Sequence, residues 1–212
     1  MIIFFAKVIL ESFLICINLL KIIKTINLKD YFAQYKPFLL FLSKFLLTYV
    51  VLTFAYETYL NKFDESSFKV DAFTKSVANQ TIDTLTFFGY NAHQMPNNES
   101  LSIKLFFNNV YIAQIIEGCN GLSVIILFIA FVIAFTGKLK KTILYLFFGS
   151  LLIYFLNIAR IALLCILIFK FPEYEAILHG VIFPLIIYGF VFLLWIIWVN
   201  KFSVYATNSV SK

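Results

Sequence analysis

Arginine is almost missing from this chain: of seventeen basic residues, sixteen are lysine and one is arginine, Arg160. Cysteine is scarce, with three residues, and no C-x-x-C pair occurs. Thiol–disulfide exchange therefore lacks a resolving partner, because Cys16 and Cys165 sit in apolar runs while Cys119 does not. Histidine is scarcer still, at two residues, and H-E-x-x-H is absent, which leaves too few ligands for zinc-dependent proteolysis. No metal or cofactor is expected. Charge is sparse as well. Charged residues make up 13% of the sequence against 62% hydrophobic, and the mean hydropathy is +0.92. That balance excludes an ordinary soluble domain and describes an integral membrane protein. The net charge of +6 does not indicate a nucleic-acid partner: the lysines form no basic stripe with interleaved aromatics. They flank the apolar runs, where orientation and anchoring explain them.

Five apolar runs are present. Residues 37–60, 121–136, 142–169 and 181–199 read as spans; 121–136 is slightly short for the ~20 residues that cross a bilayer. The run 2–20 is interrupted by Lys7 and Glu11, an i,i+4 pair on one helix face, and reads as a further span or as an interfacial helix, with the span preferred. It has neither a basic n-region nor a small-residue cleavage site, so it is a poor secretory signal. Lysines concentrate in 21–36 and in Gly137-Lys138-Leu139-Lys140-Lys141, which the positive-inside rule assigns to the cytoplasm. Segments 61–118 and 170–180 then lie outside. The expected fold is an all-α integral membrane bundle of five transmembrane helices, with a small outer α+β segment between the second and third. Residues 1–34 form an N-terminal hydrophobic helix and basic linker, 35–200 the membrane domain, and 201–212 a cytoplasmic tail.

Within the outer segment, apolar positions 70, 73, 77, 82, 85 and 88 approximate a helical period. The run 91–100 has turn chemistry. Residues 101–107 and 110–116 flank Asn108-Asn109 as a predicted tight hairpin. This hairpin leads into Glu117-Gly118-Cys119-Asn120-Gly121-Leu122-Ser123, at the start of the third span. A thiol at a helix N-terminus is favoured as thiolate by the helix dipole. Gly118 and Gly121 permit tight backbone geometry and close approach by another chain. A small buried residue is the competing reading for Cys119.

His179, at the start of the fifth span, is able to exchange a proton near neutral pH, or it serves as an interfacial hydrogen-bonding group. His93 reads as a solvated loop residue. Arg160 lies some twenty residues beyond Lys141, near the outer boundary of the fourth span and just below Cys119 and His179. Asn157, one turn earlier on the same face, is placed to orient it. A guanidinium in an apolar helix is a functional-site candidate; a charge pair with Glu117 or Asp83, or snorkelling, is the alternative. Together a thiol, an imidazole and a guanidinium supply a nucleophile, a proton-transfer group and an oxyanion stabiliser.

In Glu117-Gly118-Cys119-Asn120-Gly121-Leu122-Ser123, Asn157-Ile158-Ala159-Arg160-Ile161 and His179-Gly180, the chain resembles the exosortase/archaeosortase family of membrane transpeptidases. The resemblance covers roughly residues 35–200, and the compact form is most similar to exosortase type F. It implies that Cys119 is the nucleophile, that Arg160 stabilises the oxyanion or positions the substrate, and that His179 is the general acid/base. The implied activity is a cysteine protease/transpeptidase of the bacterial cytoplasmic membrane, with its site on the periplasmic side. The implied substrates are exported proteins whose C-terminal tail has a recognition motif, a transmembrane helix and a basic cluster. Asn120 stands where serine is common in that family, and residues 1–34 lie outside its pattern. The lipid bilayer is the other expected partner, and room remains for a membrane-protein partner. The competing reading is a small transporter or a structural subunit of a membrane complex with Arg160 in a charge pair. No two related broken helices favour transport.

Overall fold

The computed structural model describes residues 28–61, 70–135 and 137–203. Helix α1 (Leu28–Leu60) begins well before the predicted second span and continues through Pro37. The latter part of the basic linker is thus helical, a correction to the sequence reading. The boundary between two compact units falls within this helix at Leu42/Ser43, and the sheet and the remaining helices belong to the second, Ser43–Lys212.

Helix α2 (Ala72–Phe87) starts because Asp71 caps it: its carboxylate accepts from Phe73 N–H at 2.9 Å and Thr74 N–H at 3.0 Å. Its buried residues are Thr74, Val77, Ala78, Thr81 and Leu85. Val70, Phe73, Val77, Ile82 and Leu85 pack on the core as predicted, whereas Phe88 is exposed and Thr74, Ala78 and Thr81 are buried beside them. Two threonines occupy inward positions, and Thr81 satisfies its hydroxyl on the Val77 carbonyl, 2.8 Å away.

Strands β1 (Ala92–Pro96), β2 (Ile103–Phe107) and β3 (Val110–Ile115) form an antiparallel sheet in the order β1-β2-β3. The predicted hairpin is present. Asn108 and Asn109 have φ of 51° and 64°, the pair of positive values that a tight I′-like turn demands, and Phe107 pairs with Val110. Strand β1 corrects the reading of 91–100 as turn only. What makes it a strand lies elsewhere in sequence: β2 supplies the ladder, and buried Asn97 donates to Ser100 and Ser102 Oγ to tie down the return. His93 is likewise not a loop residue. It lies in β1 and stacks on Phe106.

Helices α3 (Leu122–Ala134) and α4 (Leu139–Lys170) pack closely, with the Phe128 ring against Gly149, where a Cβ would lie 2.3 Å from it. After a turn at Pro172–Tyr174 the chain re-enters helix at Glu175–Ile177. It passes a π-helical turn at Leu178–Ile182, continues as α5 (Phe183–Ile197) and ends in a second π turn at Trp198–Phe202. One end of this bundle is fastened by Trp198 Nε1 donating to the Phe135 carbonyl at 3.0 Å and by a Gly137–Ser203 bridge. Three clusters make the core: α2, the inner sheet face and α4 around Val77, Leu105 and Ile161; the α3–α4–α5 contact around Phe128 and Trp198; and a smaller one of Leu164, Ile168 and Phe183.

Three helical stretches among the described residues are long and apolar enough to cross a membrane: Ala33–Leu60, Leu139–Lys170 and Pro172–Phe202. The predicted third span is a 13-residue helix, about 20 Å long, short of a hydrocarbon core of about 30 Å. The predicted first span, 2–20, and residues 204–212 of the tail lie outside the described residues. Among the described residues the fold is therefore mostly helical, with three membrane-length helices and a small sheet.

Candidate active site

The end of β3 turns directly into a short 3₁₀ turn, Glu117–Cys119, which Cys119 N–H closes on the Ile116 carbonyl at 2.9 Å. Three interactions hold this turn. Asn120 is fully buried and donates to Thr74 Oγ1 at 2.9 Å and to Tyr56 Oη at 3.0 Å, while its Oδ1 accepts from Leu122 N–H at 2.9 Å. One amide thus joins α1, α2 and the start of α3. Asn157, 1% exposed, donates from Nδ2 to the Cys119 carbonyl at 2.9 Å. That contact revises the expected role of Asn157, which fixes the cysteine backbone rather than Arg160. Gly121 sits at φ +83° with Asn157 Cγ 3.0 Å from where its Cβ would lie, so conformation and space both require glycine there. Gly118 has open space around it, so the fold itself does not demand a glycine at that position.

A cleft of about 610 Å³ opens beside the turn. Cys119, Arg160 and His179 all line it, together with β3, the α4 face around Ile161 and Leu164, and the segment beyond α4 that carries Pro172 and Glu175. Cys119 is half-buried and unpaired as a thiol. Cys165 is buried within α4; Cys16 lies outside the described residues. Arg160 makes no ion pair among the described residues, with Glu117, Asp83 or any other acid, and its Nε is buried without a partner. Leaving a buried donor unsatisfied costs about 1–3 kcal/mol, so the guanidinium is a donor held ready for an acceptor that the fold does not provide. His179 is exposed at the cleft rim, inside the π turn. Such turns place an extra residue in a helix and often occur at functional sites.

Glu117 faces back towards Asp71. Burial, and secondarily the Asp71 carboxylate, raise its pKa above the ordinary carboxyl value. Asp71 is itself completely buried, with Oδ2 unpartnered. Neither acid forms an ion pair with Arg160.

Sequence reasoning missed Glu175, which lines the cleft four residues before His179; the i,i+4 spacing in a helical stretch was the available signal. It also missed Tyr56 and Thr74, whose roles depend on where Asn120 is delivered. No protein-family model, no curated protein and no solved structure matches this chain.

Proposed function

We propose that this protein is a membrane-embedded cysteine protease/transpeptidase that removes C-terminal sorting tails from exported proteins at the periplasmic face of a bacterial cytoplasmic membrane. The observation that carries this reading is the shared cleft of Cys119, Arg160 and His179, with the Arg160 Nε buried and unpartnered. In this reading the Cys119 thiolate attacks the scissile carbonyl. The guanidinium stabilises the oxyanion, and His179 delivers a proton to the departing amine. Collapse breaks the peptide C–N bond and leaves a thioester on Cys119. An incoming water, amine or hydroxyl, deprotonated by His179, then attacks the thioester and frees the thiol. The lysines at the opposite end of α4, Lys138, Lys140 and Lys141, support a cytoplasmic position for that end.

A structural subunit of a membrane complex is the second reading. It is favoured by the Ala33–Leu60 helix, whose apolar stretch is not buried against other described parts of the chain. Cys119 substitution separates the two. Co-expression of Cys119→Ala or Cys119→Ser with tail-bearing proteins from the same genome, followed by mass spectrometry, should show retained tails and normal membrane accumulation. Continued tail removal by these variants would refute the thiol mechanism.

A further inference from the structure

All six residues of β3, from Val110 to Ile115, line the cleft. Side chains of successive strand residues point to opposite faces, so a cleft that touches six in a row runs along the edge of the strand. That edge is bare. The sheet order is β1-β2-β3, β3 pairs with β2 alone, and no other backbone partner of Val110–Ile115 occurs among the described residues. On either side of a bulge at Ile112, alternate residues of such an edge strand direct N–H and C=O groups away from their one neighbour.

Proteins ordinarily protect an edge of this kind with lysine, proline or a cover. The edge β1 ends in Pro96, whereas β3 reads Val-Tyr-Ile-Ala-Gln-Ile, with neither charge nor proline. The far wall of the cleft is α4 from Arg160 to Phe169, together with Pro172, Glu175 and His179. The strand then ends four residues before Cys119. A polar backbone edge and a mostly apolar helix thus form the sides of one slot, with the thiol at its end.

We infer that β3 is a docking strand: an extended segment of the substrate polypeptide, on the amino side of the scissile bond, adds to its free edge as a fourth strand parallel to β3. This deepens the proposed function and rests on it. Parallel direction follows from position, because the carboxyl end of the segment has to arrive at Cys119, beyond the carboxyl end of β3. Main-chain hydrogen bonds supply affinity independent of sequence, and side-chain choice falls to the positions that face α4. At about 3.3 Å per residue, the six-residue edge accommodates roughly five substrate residues.

The test uses the full-length protein in nanodiscs and a mixed-sequence pool of biotinylated tetrapeptidyl chloromethyl ketones, which alkylate a thiol with loss of chloride. Labelling should map to Cys119, and amide hydrogen exchange in Ala113–Ile115 of the adduct, beyond the bulge, should slow at alternate residues. Two further pools carry backbone N-methyl groups at alternate positions. One should label about tenfold more slowly, the loss expected for one or two hydrogen bonds, and the other at nearly the parent rate. Adducts at Cys119 without β3 protection or alternation would overturn strand docking and leave the thiol mechanism intact. Alkylation by iodoacetamide but by no peptidyl pool would also overturn it. A Cys119 inert to every reagent would overturn the proposed function and the docking with it.

Discussion

Replacing Asn120 by alanine should unfasten the thiol turn from three elements at once. The amide gives up its bonds to Thr74 Oγ1, Tyr56 Oη and Leu122 N–H. At about 1 kcal/mol net for each neutral bond, the loss is roughly 3 kcal/mol, more if the buried Thr74 hydroxyl stays unsatisfied. Serine should be much milder. Its hydroxyl is able to cap Leu122 N–H and donate one bond, leaving about 1 kcal/mol lost. A chain of this size shifts its midpoint by roughly 2–4 °C per kcal/mol. Thermal unfolding of the detergent-solubilised protein should therefore fall by roughly 6–12 °C for Asn120→Ala and roughly 2–4 °C for Asn120→Ser. Thr74→Val combined with Asn120→Ala should cost less than the two changes summed, since they share a bond. An alanine midpoint within about 2 °C of wild type, or a serine variant as damaged as the alanine one, would refute the view that this amide fastens the turn.

Glu117→Gln tests the acid behind the turn. An acid whose folded pKa is raised favours the folded state least above that raised value, and the penalty fades as pH falls through the ordinary carboxyl value, where both states are protonated. The glutamine variant should thus melt higher than wild type at neutral pH and converge with it in acid; a constant offset in pH-resolved melting would exclude this origin. Asn157→Leu should leave the fold nearly as stable but misplace Cys119, lowering its iodoacetamide alkylation rate or tail release by up to about 10²-fold. Unchanged rates would dismiss the Asn157–Cys119 bond as a positioning contact. Arg160→Lys should cut tail release severely, because an ammonium does not reproduce a planar fork; wild-type turnover would remove Arg160 from oxyanion stabilisation. His179→Ala should lower turnover by roughly 10²–10⁴-fold with little change in membrane accumulation. Glu175→Gln should have a smaller effect that shifts the pH–rate profile, and equal loss of rate and accumulation in either variant would instead indicate folding damage.

What the sequence revealed was mostly local. The hairpin was legible because two adjacent asparagines accept positive φ. Arg160 was legible through its rarity, and the long helices through unbroken apolar runs. Strand β1 was not, because Asn91 to Pro96 has no apolar alternation and becomes a strand through the ladder that β2 offers. Nor was the burial of Thr74 and Thr81 on α2, which are polar by type and take inward positions once their hydroxyl groups find partners. Asn157 was read as a partner of Arg160, whereas it bonds the Cys119 carbonyl: helix spacing shows its neighbours on α4 but not the loop that passes over it. The bare edge of β3 was equally invisible, since whether a strand is terminal depends on the whole sheet.

The fastening at Phe135, Gly137, Trp198 and Ser203 ties the end of α3 to the end of α5, next to the start of α4. Helix α4 has 32 residues and is therefore a lever of roughly 48 Å. A tilt of about 3° at its first turn would displace its other end by about 2.5 Å over that length. A tilt of α4 about its first turn would therefore widen or narrow the opening between Arg160 and β3. Trp198→Phe should broaden spin-label distances between positions 111 and 175, although neither residue touches the indole.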